Sequence, residues 1–214
     1  MKLTTLCCAA VLVGATALIT NQVASQDTQP PPESAPQRPA KPNAEQDTDS
    51  LVDTWIQHAM PGEHHQLLAR MTGSWSMAIE YRMNADSPVV TSQGTCQRKW
   101  ILGDRFVLEE FDGGSLALPF QGMAIYGYDS FEQKYTSIWV DTTNTAITTS
   151  LGTCQDTCDL IRFQGRHGDP WTGVKRPSRG ATRFVTADQH VLELYEPGAD
   201  GKEFKILQIT YTRT

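Results

Sequence analysis

From Gly73 onward the chain alternates between apolar and polar residues with a period of two. Trp75, Met77, Ile79, Tyr81 and Met83 share one face, and Ser74, Ser76, Ala78, Glu80 and Arg82 the other. That is the pattern of a strand buried on one side. The same reading predicts nine further strands, over about 89–102, 105–112, 121–128, 134–142, 146–153, 158–166, 179–186, 189–196 and 203–213. Turn residues separate them: Asn84 to Pro88, Gly103-Asp104, Gly113-Gly114, Asp129 to Gln133, Ala187-Asp188 and Pro197 to Gly201. The segment His167 to Ser178 carries Pro170, Trp171, Gly173 and Pro177 and does not alternate. It is expected to be a long loop over the open end of the fold, with Arg166, Lys175, Arg176, Arg179 and Arg183 facing solvent.

Two short helical stretches precede the strands. Asp53 to Met60 predicts a turn of helix stopped by Pro61-Gly62. Glu63 to Met71 predicts a helix, with Leu67, Leu68 and Met71 at helical spacing and Gly73 as its stop. Ten short strands with tight turns and no interleaved helices mean a sandwich or a barrel. Sequential up-and-down connections favour the barrel, because closure removes exposed edges. The expected fold is therefore all-β: a ten-stranded up-and-down antiparallel barrel with a short N-terminal helix plugging one end. No internal repeat points to a propeller.

The first 50 residues differ in character. Lys2 precedes an apolar run from Leu6 to Ile19, and Val23-Ala24-Ser25 offers small residues for cleavage. This predicts a signal peptide over 1–25 and a periplasmic or extracellular protein. The run is too short for a comfortable membrane span. Residues 26–50 hold Pro30, Pro31, Pro32, Pro36, Pro39 and Pro42 without apolar periodicity, so a disordered linker is expected there and the barrel domain over 51–214. Removing the leader would leave 17 Lys+Arg against 24 Asp+Glu, a balance that opposes nucleic-acid binding.

Export bears on the cysteines. Cys154 and Cys158 flank Gln155-Asp156-Thr157, a hairpin-length connection, so an oxidising compartment would pair them. Cys96 would remain a buried thiol. For catalysis the chain offers little. It has no Gly-x-Ser-x-Gly elbow, no His-Glu-x-x-His and no Gly-rich phosphate loop after a strand. Glu109 and Glu110 are adjacent on a strand and point to opposite faces. His64 and His65 are adjacent on a helix and diverge, so no metal or cofactor is assigned. His190 shares a face with Leu192 and Leu194 but follows the Asp188 turn. It is expected to be a polar strand end, with haem or metal ligation the alternative.

Arg98 is the most informative polar residue. Cys96 and Trp100 place it on the inward face of the second strand, and a buried guanidinium needs an acid or an anionic ligand. It anchors a ligand carboxylate, or pairs with Glu109 on the next strand, or turns outward. The other large residues expected inside are Trp100, Tyr126, Trp139 and Tyr195.

A helix, then Gly73-Ser74-Trp75 opening the first strand, then Arg213 closing the last, resembles the lipocalin-like (calycin) pattern. There the Trp lies across the closed end and the Arg stacks on it. Gly103-Asp104-Arg105-Phe106, Pro119-Phe120-Gln121-Gly122, Gly127-Tyr128-Asp129 with Tyr135 and Trp139, and Tyr211-Thr212-Arg213 narrow the match. Over residues 62–214 the chain resembles DUF1579, an uncharacterised bacterial family placed among the lipocalin-like barrels. The resemblance implies the barrel and brings no established activity and no catalytic residues. Three functions fit: binding of a small apolar or amphipathic ligand through Arg98, Trp100, Glu109, Tyr126 and Trp139; a structural barrel filled by its own side chains; and an enzyme using the same interior with Glu109 and Arg98.

Overall fold

The computed structural model describes residues 48–115, 119–155, 157–169, 173–198 and 200–214. The expected signal peptide and nearly all of the expected linker lie outside them. Ten strands follow two helices: α1 (Thr48–Ala59), α2 (Glu63–Leu68), a 3-10 turn (Ala69–Met71), then β1 (Gly73–Tyr81), β2 (Val90–Ile101), β3 (Phe106–Ser115), β4 (Pro119–Asp129), β5 (Lys134–Asp141), β6 (Thr148–Cys154), β7 (Leu160–Gly168), β8 (Lys175–Thr186), β9 (Gln189–Pro197) and β10 (Glu203–Arg213). Each strand pairs antiparallel with its sequence neighbours, and β1 closes on β10 to complete the barrel. Closure leaves no unpaired edge strand, the hazard of an open sheet. No described helix is long and apolar enough to cross a membrane.

Short polar side chains shape the turns. Asn84 Oδ1 accepts the Asp86 N–H at 3.0 Å, Asp129 Oδ1 accepts those of Phe131 and Glu132 at 2.8 and 3.0 Å, and Asp200 Oδ1 accepts that of Lys202 at 3.0 Å. Turns after even-numbered strands gather at the end where β1 begins and β10 stops. This is also the helix end, because α2 and its 3-10 turn run directly into β1. Leu68 and Met71 are buried there, and the Arg70 guanidinium lies 4.2 Å from the Phe184 ring centre while pairing with Asp159 at 2.9 Å.

Strict inward and outward alternation fills the interior. Along β3, Val107, Glu109 and Phe111 point in; along β1, Trp75, Met77 and Ile79 do. One apolar group, including Leu68, Met71, Val107, Tyr135, Ile161 and Phe184, packs under the helix plug. A second, including Trp75, Met77, Phe111, Ile209 and Tyr211, fills the space beyond, with Phe120, Trp139, Leu192 and Leu207 half-buried around it.

Trp75 makes the joint between β1 and β10. It is 1% exposed, its indole N–H donates to Met71 O at 2.9 Å, and the Arg213 guanidinium lies 4.2 Å from its ring centre. Arg213 also donates to Asp188 Oδ1 (3.0 Å), Thr72 O (2.7 Å) and Ala187 O (3.2 Å). One residue thus ties the last strand to the plug and to the β8–β9 turn. Gly73 makes room for it. Its φ is +115°, in the region that favours glycine, and a Cβ there would collide with the Arg213 guanidinium.

Several boundaries differ from the sequence expectation. The segment His167 to Ser178 is mostly strand: β7 runs to Gly168 and β8 starts at Lys175, with His167 opposite Arg176. Pro177 is accommodated because it lies beyond the last β8–β9 pair, Arg179 with Tyr195, where no partner needs its missing N–H. Arg166, Lys175 and Arg183 are exposed, and Arg176 pairs with buried Asp169 at 2.7 Å. Residues 170–172 lie outside the described residues. Gly113-Gly114 does not end β3; the strand continues to Ser115 through a register shift, with Gly114 at φ +70°. Helix α1 is longer than one turn, starting at Thr48. Tyr195 is on the outer wall, under the Arg179 guanidinium at 4.8 Å, because β9 turns its even-numbered residues inward.

Replacing Trp75 by Ala removes the largest fully buried side chain and the seat of Arg213 together. Urea unfolding of Trp75→Ala is expected to show a loss of about 3–5 kcal/mol. A loss under 1 kcal/mol would mean that barrel closure does not depend on this joint.

Candidate functional site

Polar residues from five strands meet inside the barrel just beneath the plug. Arg98 (β2) and Glu109 (β3) are cross-strand partners, and both are buried, 2% and 0% exposed. Arg98 Nε donates to Glu109 Oε2 at 3.0 Å. Tyr126 of β4 donates its hydroxyl to the same oxygen at 2.8 Å. From the opposite wall, His190 Nε2 lies 2.6 Å from Arg98 Nη1. Tyr211 of β10 completes the group: the Arg98 guanidinium is 4.4 Å from its ring centre, and the His190 ring stacks on it at 4.4 Å. The His190 and Trp75 rings meet at near right angles, with centres 4.4 Å apart. Trp75 therefore has one charged neighbour outside the barrel, Arg213, and one imidazole inside.

The electrostatics follow from burial. Burial pushes the His190 pKa down to about 2, assisted by the Arg98 and Arg213 charges, so the ring is neutral. Because a guanidinium only donates, Nε2 must accept, and the proton sits on Nδ1. Burial also opposes the charge on Arg98, but Glu109 offsets it, and the net pKa lies above the ordinary arginine value. Tyr126 and Tyr211 are raised well above the usual phenol range by burial and then by Glu109, so both keep their protons. Burial pushes the neighbouring Cys96 thiol up to about 12, leaving it a protonated, buried free cysteine.

Two polar atoms of the group have no partner among the described residues: Glu109 Oε1 and His190 Nδ1. One is an acceptor and the other, by the tautomer above, a donor. Unpaired buried polar atoms are rare and call for a partner such as water or a ligand.

The five residues expected to bind a ligand divide. Arg98, Glu109 and Tyr126 form the cluster, with the Arg98–Glu109 ion pair weighed from sequence. Trp100, half-buried, packs at the edge of the apolar group under the plug. Trp139 sits one layer further from the plug, against Phe111 and Phe120 at 5.4 and 6.3 Å, with its indole N–H on Asp141 at 2.8 Å. His190 departs from expectation. It is not a polar strand end near solvent but 1% exposed at the centre of the cluster. The shared parity of His190, Leu192 and Leu194 carried that information, and the adjacent turn obscured it. With Nε2 committed to Arg98 and the ring held between Tyr211 and Trp75, its remaining ring nitrogen is Nδ1. Glu110 points outward to Lys99 at 3.0 Å. The sulfurs of Cys154 and Cys158 lie at disulfide distance, with Cα atoms 5.0 Å apart. A groove of about 690 Å³ is lined by outward residues such as Gln97, Glu110, Asp112 and Met123 together with Trp75, Cys96 and Phe111, and not by Arg98, Glu109, Tyr126 or His190.

Fold and site together define a small closed β-barrel that fits a calycin-like domain with a charged group buried in its interior. The chain belongs to the family described as "Protein of unknown function (DUF1579)", whose model matches residues 60–213. Its fold is shared with a solved structure, "Crystal Structure of Rv2717c from M. tuberculosis", at a TM-score of 0.54 and 12% identity, covering 72% of this chain and 99% of that one. A redesigned beta barrel, b11L5F_LGL, aligns at a TM-score of 0.34 and 16% identity over 68% of this chain and 93% of that one. No curated protein matches the sequence.

Removing Arg98 alone would leave Glu109 buried without its cation. Arg98→Met is expected to cost about 3–5 kcal/mol, with part of the loss recovered in Arg98→Met/Glu109→Gln. Urea unfolding of the two variants checks this; a double variant no more stable than Arg98→Met would mean that an uncompensated Glu109 charge is not the source of the cost.

The buried His190 also sets a pH dependence. Its folded pKa lies below the ordinary 6.5, so below pH 6.5 the unfolded chain binds the extra proton. The stability that His190 contributes is complete above pH 6.5 and lost as the pH falls toward about 2. Unfolding measured from neutral pH downward is expected to fall more steeply for the parent than for His190→Gln, by up to about 1.4 kcal/mol per pH unit. Parallel curves would show that the ring is not held neutral.

Proposed function

We propose that the barrel binds a small amphipathic molecule, with its neutral polar group in the Arg98–Glu109–His190 cluster and its apolar part against Phe111, Phe120 and Trp139. The unpaired Glu109 Oε1 and His190 Nδ1 carry this proposal. A hydroxyl or an amide supplies both a donor and an acceptor, and the match would recover about 1–3 kcal/mol per satisfied atom. Arg98 is already engaged by Glu109 and His190. A neutral head group therefore suits the cluster better than the carboxylate that a free arginine would attract.

We further infer that the protein is exported and that its barrel is lipocalin-like. The apolar run behind Lys2 supports the first, and the stack of Arg213 on Trp75 behind a plugging helix supports the second. Export would place Cys154 and Cys158 in an oxidising compartment, where bonding-range sulfurs pair.

A filled structural barrel is the competing function, favoured by the close packing of Leu68, Val107, Tyr135 and Ile161 under the plug. Ordered water would then satisfy the two unpaired atoms. Native mass spectrometry of protein purified from its own compartment separates the two. A retained small molecule, lost or reduced about tenfold or more in Glu109→Gln, is expected from ligand binding. Bare protein from the same preparation would support the filled barrel.

A further inference from the structure

At the plug end of the barrel, His64, Cys154 and Cys158 each bring a potential metal-ligand atom, and the three atoms lie within 4.8 Å of one another. They come from separate segments. His64 is on α2, Cys154 ends β6, and Cys158 lies in the β6–β7 turn, where its φ is +53°. The imidazole is held in place: it stacks on Tyr128 at 4.2 Å, and its Nδ1 lies 3.0 Å from the Tyr135 hydroxyl. That hydroxyl is also 3.8 Å from Cys154 Sγ, so Tyr135 links the histidine to the cysteine pair. The Arg70–Asp159 ion pair, 2.9 Å, ties the end of the plug to the same turn.

We infer that reduction of the Cys154–Cys158 pair opens a binding site for a thiophilic divalent metal ion, of the Zn²⁺ type, formed by His64, Cys154 and Cys158. A dithiol reductant would break the S–S bond, transferring two electrons and two protons to the cysteines and becoming a disulfide itself. Binding then forms two metal–sulfur bonds and one metal–nitrogen bond and releases the two thiol protons to solvent. Two thiolates neutralise the dication, and the neutral imidazole is the third ligand. Three protein ligands leave the fourth tetrahedral position to water. Tetrahedral zinc with sulfur and nitrogen ligands sets its donor atoms about 3.4–3.8 Å apart. The present spread needs only parting of the two sulfurs and sub-turn adjustments. The two states constrain different things. The disulfide closes a loop within one hairpin, whereas the metal fastens α2 to that hairpin.

Cobalt provides the optical probe. The purified protein, reduced anaerobically with a dithiol and freed of it, is titrated with Co²⁺. One equivalent is expected to bind, with thiolate-to-cobalt charge transfer in the near ultraviolet and the strong visible bands of a tetrahedral site. Zn²⁺ should abolish those bands and raise the melting temperature of the reduced protein only. The oxidised protein should bind neither ion at this site. His64→Ala should weaken cobalt binding about tenfold or more, since even outer-shell losses cost that much. Cys154→Ser should remove the charge-transfer band, and Cys96→Ser should keep it. A reduced protein that stays colourless, binds cobalt octahedrally, or binds it equally well without His64 would overturn the inference. The comparison of oxidised with reduced parent needs no variant, so a misfolded mutant cannot decide it. Because the mass spectrum reports on the barrel interior and cobalt on this outer turn, failure of one leaves the other standing.

Discussion

Closure of this barrel rests on one indole. Trp75 must be buried in the only joint that sequence order does not make automatically, between the first strand and the last. A hairpin strand finds its neighbour through a short turn, but β1 and β10 are separated by almost the whole domain, so their pairing must overcome the largest loop-closure cost. Arg213 answers that cost. Its guanidinium covers the indole and its donors reach Thr72, Ala187 and Asp188, joining three segments around the seam. Cation–π attraction of about 1–2 kcal/mol when partly desolvated adds to the burial of the ring. Gly73 is part of the same device, since any side chain there would occupy the place of the guanidinium.

The inner face of Trp75 explains why the charged cluster is where it is. The indole backs onto His190, His190 accepts from Arg98, and Arg98 pairs with Glu109. A chain of contacts thus runs from the exposed Asp188 through Arg213 and Trp75 to a fully buried carboxylate. Buried ion pairs are weak contributors to net stability, because the desolvation penalty consumes most of the Coulombic gain. An all-apolar filling of this volume would fold at least as well by that measure. The cluster retains a carboxylate oxygen and an imidazole nitrogen without partners among the described residues, and net stability alone gives no reason for either.

Much of the fold was legible in the sequence, because period-two alternation and turn residues survive in a single chain without reference to partners. Strand count and closure followed from that local grammar, and the Trp75–Arg213 contact from the resemblance to the lipocalin-like pattern. The errors fell where local signals compete with tertiary ones. Pro177 and Gly113-Gly114 read as breaks, yet a proline beyond the last paired neighbour and a glycine bulge both fit inside a barrel strand. Within the site, Arg98 and Glu109 were legible because adjacent strands of a meander bring them opposite one another. His190 was not, because its partner comes from across the barrel, and no spacing in the chain encodes a contact between residues 98 and 190.

Geometry also fixes how the interior would be reached. The plug end is closed by Leu68, Met71 and Trp75, all nearly inaccessible. The next inward residue along β3 beyond Glu109 is Phe111, and it meets Phe120 and Trp139 edge-on. Anything approaching Glu109 from the other end must pass or displace that aromatic layer. An apolar tail can replace such contacts with similar ones, whereas a strongly hydrated ion would lose its water with nothing in return. On the proposed function, the layer would admit the apolar part of the ligand whose head group the unpaired donor and acceptor below it would take. Two independent features, one apolar and one polar, set in sequence along the same inward face, would both suit the amphipathic ligand proposed above.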